Sequence, residues 1–358
     1  MQYIFSFITF VFILNTFSSC SGEQRAKLEV TPTSYGKVDN IMVVADEYTW
    51  TTTIGDTFRN YFEALYPVTP QPEPIYQLHY HKPQQFQKAK VLKTHRAIIL
   101  LGALDDPNDP TSQIIRDVIG EDNIKKASEQ DNYRIAVQRN RWAQGQTVVY
   151  WFAPNRSELL KTIAKDYERV MNIFNEADTK MYLKQIYIAG QNIKANKIID
   201  KNFDVSIKIP KAYTVAHEEE NAIWMRKETD KISSNIFLYS LPLSDTTMLG
   251  PDNHKKLRNQ LTKKYFSTHI EDSYMQIDDR VLPIYYQEMH FANQPTLQAR
   301  GLWGMVNDFM GGSFVTYMIE DRANNRVLLL DGFVHAPGQK KRPELRKLDM
   351  IFTTFEIN

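Results

Sequence analysis

The chain has 358 residues with 43 Lys and Arg against 42 Asp and Glu, a formal net charge of +1. A near-balanced charge excludes the clear basic excess of a nucleic-acid binder, so no nucleic-acid partner is expected. The length suits two domains, and a single cysteine excludes a disulfide framework.

In chain order, residues 3 to 17 (YIFSFITFVFILNTF) are uncharged and mostly aromatic or branched aliphatic. That is the apolar core of an export signal, too short for a comfortable membrane span of roughly 20 residues. Ser18, Ser19 and Cys20 follow. Small residues before a cysteine at the end of an apolar run resemble the lipobox of bacterial lipoproteins. The resemblance implies cleavage before Cys20 and lipid on its thiol. It departs from the usual pattern at Phe17, where Leu is commoner, and in lacking Lys or Arg before the apolar run. An exported protein with one cysteine is otherwise unusual, because its compartment permits disulfides. Residues 1–19 are therefore read as a signal peptide and 20–36 as a lipidated, flexible tether. The expected location is the bacterial cell envelope, on the outer membrane facing the periplasm.

Residues 37–195 read as an α/β domain with a largely parallel sheet and helices. Short apolar runs at 41–45 and 96–102, an alternating run at 75–81, and runs at 133–138 and 147–152 are strand-like. Helical spacing appears at 54–65 and 111–119. The clearest helix starts at Asn155, where Glu158 three residues on gives a capping pattern, and Leu159, Ile163, Val170 and Phe174 mark one face to about residue 178.

Residues 196–358 read as an α+β domain. Strand-like stretches lie at 204–210, 212–227, 234–241, 281–291, 297–306, 313–320 and 326–335. A helix at 253–266 carries Leu257, Leu261 and Tyr265. A second opens at Pro343 and shows Leu345, Leu348, Phe352 and Phe355 on one face.

Two long segments, RGLWGMVNDFMGGSFVTY at 300–317 and RVLLLDGFVHAPGQKKR at 326–342, resemble an uncharacterised bacterial lipoprotein family, the domain of unknown function 4837. IMVVADEYTW at 41–50, TPQPEP at 69–74 and KTHRAIIL at 93–100 agree with it, so the resemblance spans nearly the whole chain beyond Cys20. It implies a lipid anchor and no established activity.

Strong catalytic motifs are absent. There is no Gly-rich dinucleotide or phosphate loop and no nucleophile elbow, and no cofactor is expected. His217-Glu218-Glu219-Glu220-Asn221 has Asn where a zinc protease needs its second His.

Three constellations remain. In an α/β sheet, ligands gather beyond the carboxyl ends of the strands. Asp46 and Glu47 follow the first strand, His79 and His81 lie two apart on the second, and Asp105, Asp106 and Asp109 follow the third. If these strands are parallel neighbours, His79, His81, Asp105 and Asp106 form a candidate divalent-cation site. Arg300, Trp303 and Asp308, beside Gly311-Gly312, form a candidate ligand site. The alternative there is a core Trp and a glycine hairpin needing positive φ. His254, Lys255, Lys256, Arg258, Lys263 and Lys264, with Lys340, Lys341 and Arg342, form a candidate face for anionic lipid or polysaccharide, or simply a solvated helix surface. The reading is a membrane-tethered module that binds an envelope partner or ligand. A metal-assisted hydrolase at the first cluster is the alternative.

Overall fold

A computed structural model describes residues 31–243 and 249–358. The signal segment, Cys20 and the start of the tether lie outside the described residues. The described part of the tether is not free chain: Ser34 donates to the Gln144 carbonyl at 2.9 Å and Tyr35 to that of Thr94 at 3.1 Å.

The N-terminal sheet contains β1 (Asn40–Val44), β2 (Gln77–His81), β3 (Ala97–Ala103), β4 (Ile135–Arg139) and β5 (Thr147–Ala153), in the order β2-β1-β3-β5-β4. Only β4 runs antiparallel to its neighbour. The central strands β3 and β5 are buried on both faces, which is why their sequences are continuous apolar runs. One face packs under the helix Thr53–Phe62 and the long helix Arg156–Ile186, through Phe58, Phe62, Trp151, Leu159 and Phe174. Asn155 caps the long helix by accepting from the Glu158 N–H at 2.9 Å. The helix Pro110–Ile119 covers the other face.

The C-terminal sheet is antiparallel in all its pairings. Its strands are β7 (Thr214–Glu219), β8 (Ala222–Glu228), β9 (Ser233–Pro242), β10 (Tyr274–Ile277), β11 (Tyr285–Phe291), β12 (Gln294–Val306), β13 (Gly311–Asp321) and β14 (Arg326–His335). The order is β10-β12-β13-β14-β9-β8-β7, with β11 also on β12. The helix Ile193–Phe203 and the C-terminal helix Arg342–Phe352 bury Phe203, Leu345, Leu348 and Phe352 on one face. The helix Pro251–Tyr265 covers part of the other, with Phe237, Phe314 and Leu329 beneath it. The α/β and α+β architectures are therefore as expected. Of the strand-like stretch 204–210, Val205–Ser206 pairs as β6 with β15 (Glu356–Ile357), and Pro210 makes an isolated bridge to Gln191.

Buried charge joins the two halves. Asp39, before β1, pairs with Arg346 and Arg342 of the C-terminal helix. Glu73 accepts the backbone N–H groups of Lys341 and Arg342 at 2.7 and 3.2 Å. Within the N-terminal half, Asp178 of the long helix pairs with Arg96 at 2.6 Å. Each carboxylate is buried with a cationic or N–H partner, as a low-dielectric site requires.

Candidate functional site

The expected cation site does not assemble. β1, β2 and β3 are parallel neighbours, as that reading needed. Yet the His79 ring nitrogen Nε2 lies 3.0 Å from the Asn40 amide, near the start of β1 rather than beyond its end. Asp106 accepts from the Asn108 N–H at 2.9 Å within its own loop, and Asp105 is exposed. The small cavity beyond the strand ends is lined by Asp46, Glu47, Lys82 and Asp109, without His79, His81, Asp105 or Asp106. Asp109 is there as a helix cap, accepting from the Ser112 N–H at 2.8 Å. Among the described residues no three His, Cys, Asp or Glu side chains are grouped to hold a metal. The metal reading, and the hydrolase built on it, are corrected on that ground.

The basic face keeps Lys256, Lys263, Lys264 and Lys340 exposed but loses its other members. His254 and Arg258 are buried under their helix, and Lys255 pairs with Asp279 at 2.5 Å. Lys341 and Arg342 are consumed at the junction with the N-terminal half. Helical position alone does not distinguish a buried guanidinium from a solvated one.

Arg300, Trp303 and Asp308 do not converge. Arg300 faces the junction, where it donates to Asp349 at 2.7 Å, Tyr66 at 3.2 Å and Gln298 at 3.1 Å. Trp303 lies three residues along β12, so it points to the opposite face of the sheet. Asp308 sits in the β12–β13 turn, accepting from the Phe309 N–H at 2.7 Å. Asn307, at φ 58°, supplies the left-handed residue of that turn. The glycines serve close approach instead: a Cβ on Gly312 would lie 1.9 Å from the Val334 carbonyl oxygen and 3.0 Å from Trp303 Nε1.

Trp303 does line a pocket. A cavity of about 450 Å³ opens at one end of the C-terminal sheet, beyond the helix Pro251–Tyr265. Its aromatic wall is continuous. Trp224 meets Phe266 edge-on at 4.9 Å, Phe266 meets Phe333 at 4.9 Å, and Trp303 meets Phe333 at 5.8 Å. Such edge-to-face contacts are the favoured aromatic geometry and hold the rings in place. Met275, Met305 and Met310 fill the gaps, and methionine is adaptable enough to fit varied apolar shapes. Polar groups are few and fixed. Trp224 donates its indole N–H to Asn235 at 3.0 Å, and His335 donates from Nδ1 to the Gly311 carbonyl at 2.9 Å. The indole N–H of Trp303, itself 3% exposed, has no partner among the described residues.

Two hairpin ends flank the mouth. The β8–β9 connection contributes Thr229, Asp230, Lys231 and Ile232. The β12–β13 turn contributes Met310, with Phe309 beside it at 108% exposure. The charged lining balances, with Arg226 and Lys231 against Glu228 and Asp230. Arg226 and Glu228 pair at 2.9 Å. Sequence reading found Trp303 but missed Trp224, Phe266, Phe333 and His335. The signal at Trp224, Phe333 and His335 is a large aromatic or imidazole within a strand, which any core strand also gives, and Phe266 is the C-cap of the helix Pro251–Tyr265.

The molecule is thus a two-part chain, an α/β domain joined to an antiparallel α+β domain with an aromatic pocket at its sheet end. Residues 191–354 match the model of the domain of unknown function 4837. Residues 34–187 match a different model, the domain of unknown function 8532, so the family resemblance read over most of the chain divides into two. No curated protein matches significantly. Two solved structures are similar: a Mog1 mutant and the Saccharomyces cerevisiae Ran-binding protein Mog1p. Each is 10% identical with a TM-score of 0.29, over 43% of this chain and 90% of its own. A likeness that slight carries no argument about function.

Proposed function

We propose that this chain is a binding module of the bacterial cell envelope, tethered through lipid on Cys20 to the outer membrane on its periplasmic side. Its recognition site is the aromatic pocket, and it takes an uncharged molecule or side chain with a flat apolar body. The pocket carries this reading. Four aromatic rings and three methionines form an apolar wall of ligand-sized volume, and the rim charges cancel. A charged ligand would find no net counter-charge there. The tether rests on the apolar run at 3–17, the Ser18-Ser19-Cys20 sequence and the lack of any other cysteine. More than one lipid chain is needed for stable anchoring. Among the described residues no helix is long and apolar enough to cross a membrane.

Titration of the purified protein with N-phenyl-1-naphthylamine, a neutral aromatic fluorophore, tests the site. Probe fluorescence should rise and tryptophan emission should fall together. Trp224→Ala and Met310→Asp, both at partly exposed positions, should weaken binding about tenfold, in the range of one lost apolar contact. Unchanged binding in both variants would show that the probe goes elsewhere and sink the reading.

A further inference from the structure

We propose that a second copy of this chain covers the pocket, each copy inserting Phe309 into the aromatic pocket of the other. The inference rests on the pocket being a recognition site and names its occupant. Phe309 is the most exposed large apolar side chain of the described residues, at 108%. Its position is set by the backbone: the Met305 N–H donates to the Met310 carbonyl at 2.9 Å, and Asn307 makes the turn. The next residue, Met310, already lines the pocket. Knob and hole therefore lie on one patch. That is the condition for a closed two-fold contact, in which the same surface meets itself and no open chain of copies forms.

Charge agrees with this pairing. Asp308, preceding Phe309, has only a backbone N–H as partner. Lys231, on the opposite side of the mouth, has no ion pair among the described residues. When Phe309 of one copy enters the pocket of the other, Asp308 approaches the rim that carries Lys231. A buried aromatic anchor surrounded by complementary rim charge is the usual anatomy of an interface hot spot.

The test uses cells producing the full chain with photoreactive p-benzoylphenylalanine in place of Phe309. Illumination should give a band of twice the monomer mass, with the crosslink mapped to Trp224, Met275 or Met305 of the second copy. A monomer band alone, or crosslinks to another protein or away from the pocket, overturns the proposal. Asp308→Lys and Lys231→Asp, each alone, should reduce the doubled band several-fold. Cells producing both single variants should restore it, because each altered charge then faces its opposite; no restoration counts against the pairing. Phe309→Ser should weaken self-association at least about thirtyfold, as for an aromatic hot spot. The same variant should still bind the neutral fluorophore. Loss of pairing with probe binding retained separates this proposal from the pocket reading, which its own titration decides.

Discussion

Arg258 lies against Asp331 with two parallel hydrogen bonds of 3.0 Å, and the two side chains are 0% and 1% exposed. The guanidinium also sits 3.8 Å from the centre of the Phe314 ring, and Thr316 donates to the same carboxylate. This pair fixes the helix Pro251–Tyr265 to β14 beneath it. Asp331→Leu leaves a buried unpaired guanidinium and should cost about 3–5 kcal/mol. Arg258→Met with Asp331→Leu should recover most of that loss, because no charge remains buried. Exposed Lys256→Ala on the same helix should change stability by less than about 0.5 kcal/mol. Urea unfolding of the variants measures all three; a benign single replacement at Asp331 would contradict the burial argument.

His254, one turn before Arg258, gives the fold an acid-side weakness. Burial, with the Arg258 charge adding to it, pushes its pKa down from 6.5 to about 3. The unfolded chain therefore takes up a proton below about pH 6.5 that the folded chain refuses until about pH 3. Stability is full above pH 6.5 and falls as pH drops through that window, by up to about 1.4 kcal/mol per pH unit for this group. His95, pushed down to about 4 chiefly by burial, acts in the same direction. His254→Gln should flatten the decline between pH 6 and pH 4 while His95 retains its share. Chemical unfolding of both proteins across that range decides it; identical slopes would count against His254.

Gly312 is the position where β13 passes closest to its neighbours. Gly312→Ala places a methyl against the Val334 carbonyl and the Trp303 indole. Either β13 shifts or the pocket wall does, at about 1–3 kcal/mol. Thermal melting should show the loss and the fluorophore should bind more weakly. Gly190→Ala, where a Cβ would meet nothing within 4 Å, carries only the strain of its positive φ and should leave probe binding unchanged.

Cys20→Ser should abolish labelling by radioactive palmitate and stop processing of the signal segment in cells. Circular dichroism of the purified variant should match the parent, since the described core clusters are built from Ile41 onward. Continued lipid labelling would remove Cys20 as the anchor.

The sequence by itself determined the elements whose local and global demands agree. Continuous apolar runs such as IILLG and TVVYWF became the central strands β3 and β5, because a strand covered on both faces needs no polar side. Asn155 capped its helix as its spacing indicates. Only the tertiary structure decided what the charged and aromatic residues do. His254 and Arg258 share a helix with exposed lysines, but the carboxylate that draws Arg258 inward comes from β14, far along the chain. His79 on β2 and Asp105 beyond β3 flank β1 on either side, His79 against Asn40 and Asp105 in solvent, so they do not meet. Trp303 was legible as a pocket residue beside two glycines. Trp224, Phe266 and Phe333 join it only because antiparallel pairing and the end of a helix bring four distant segments to one edge. Periodicity records which side of an element is apolar; which apolar sides meet, and where they leave a gap, is set by the packing of the whole sheet.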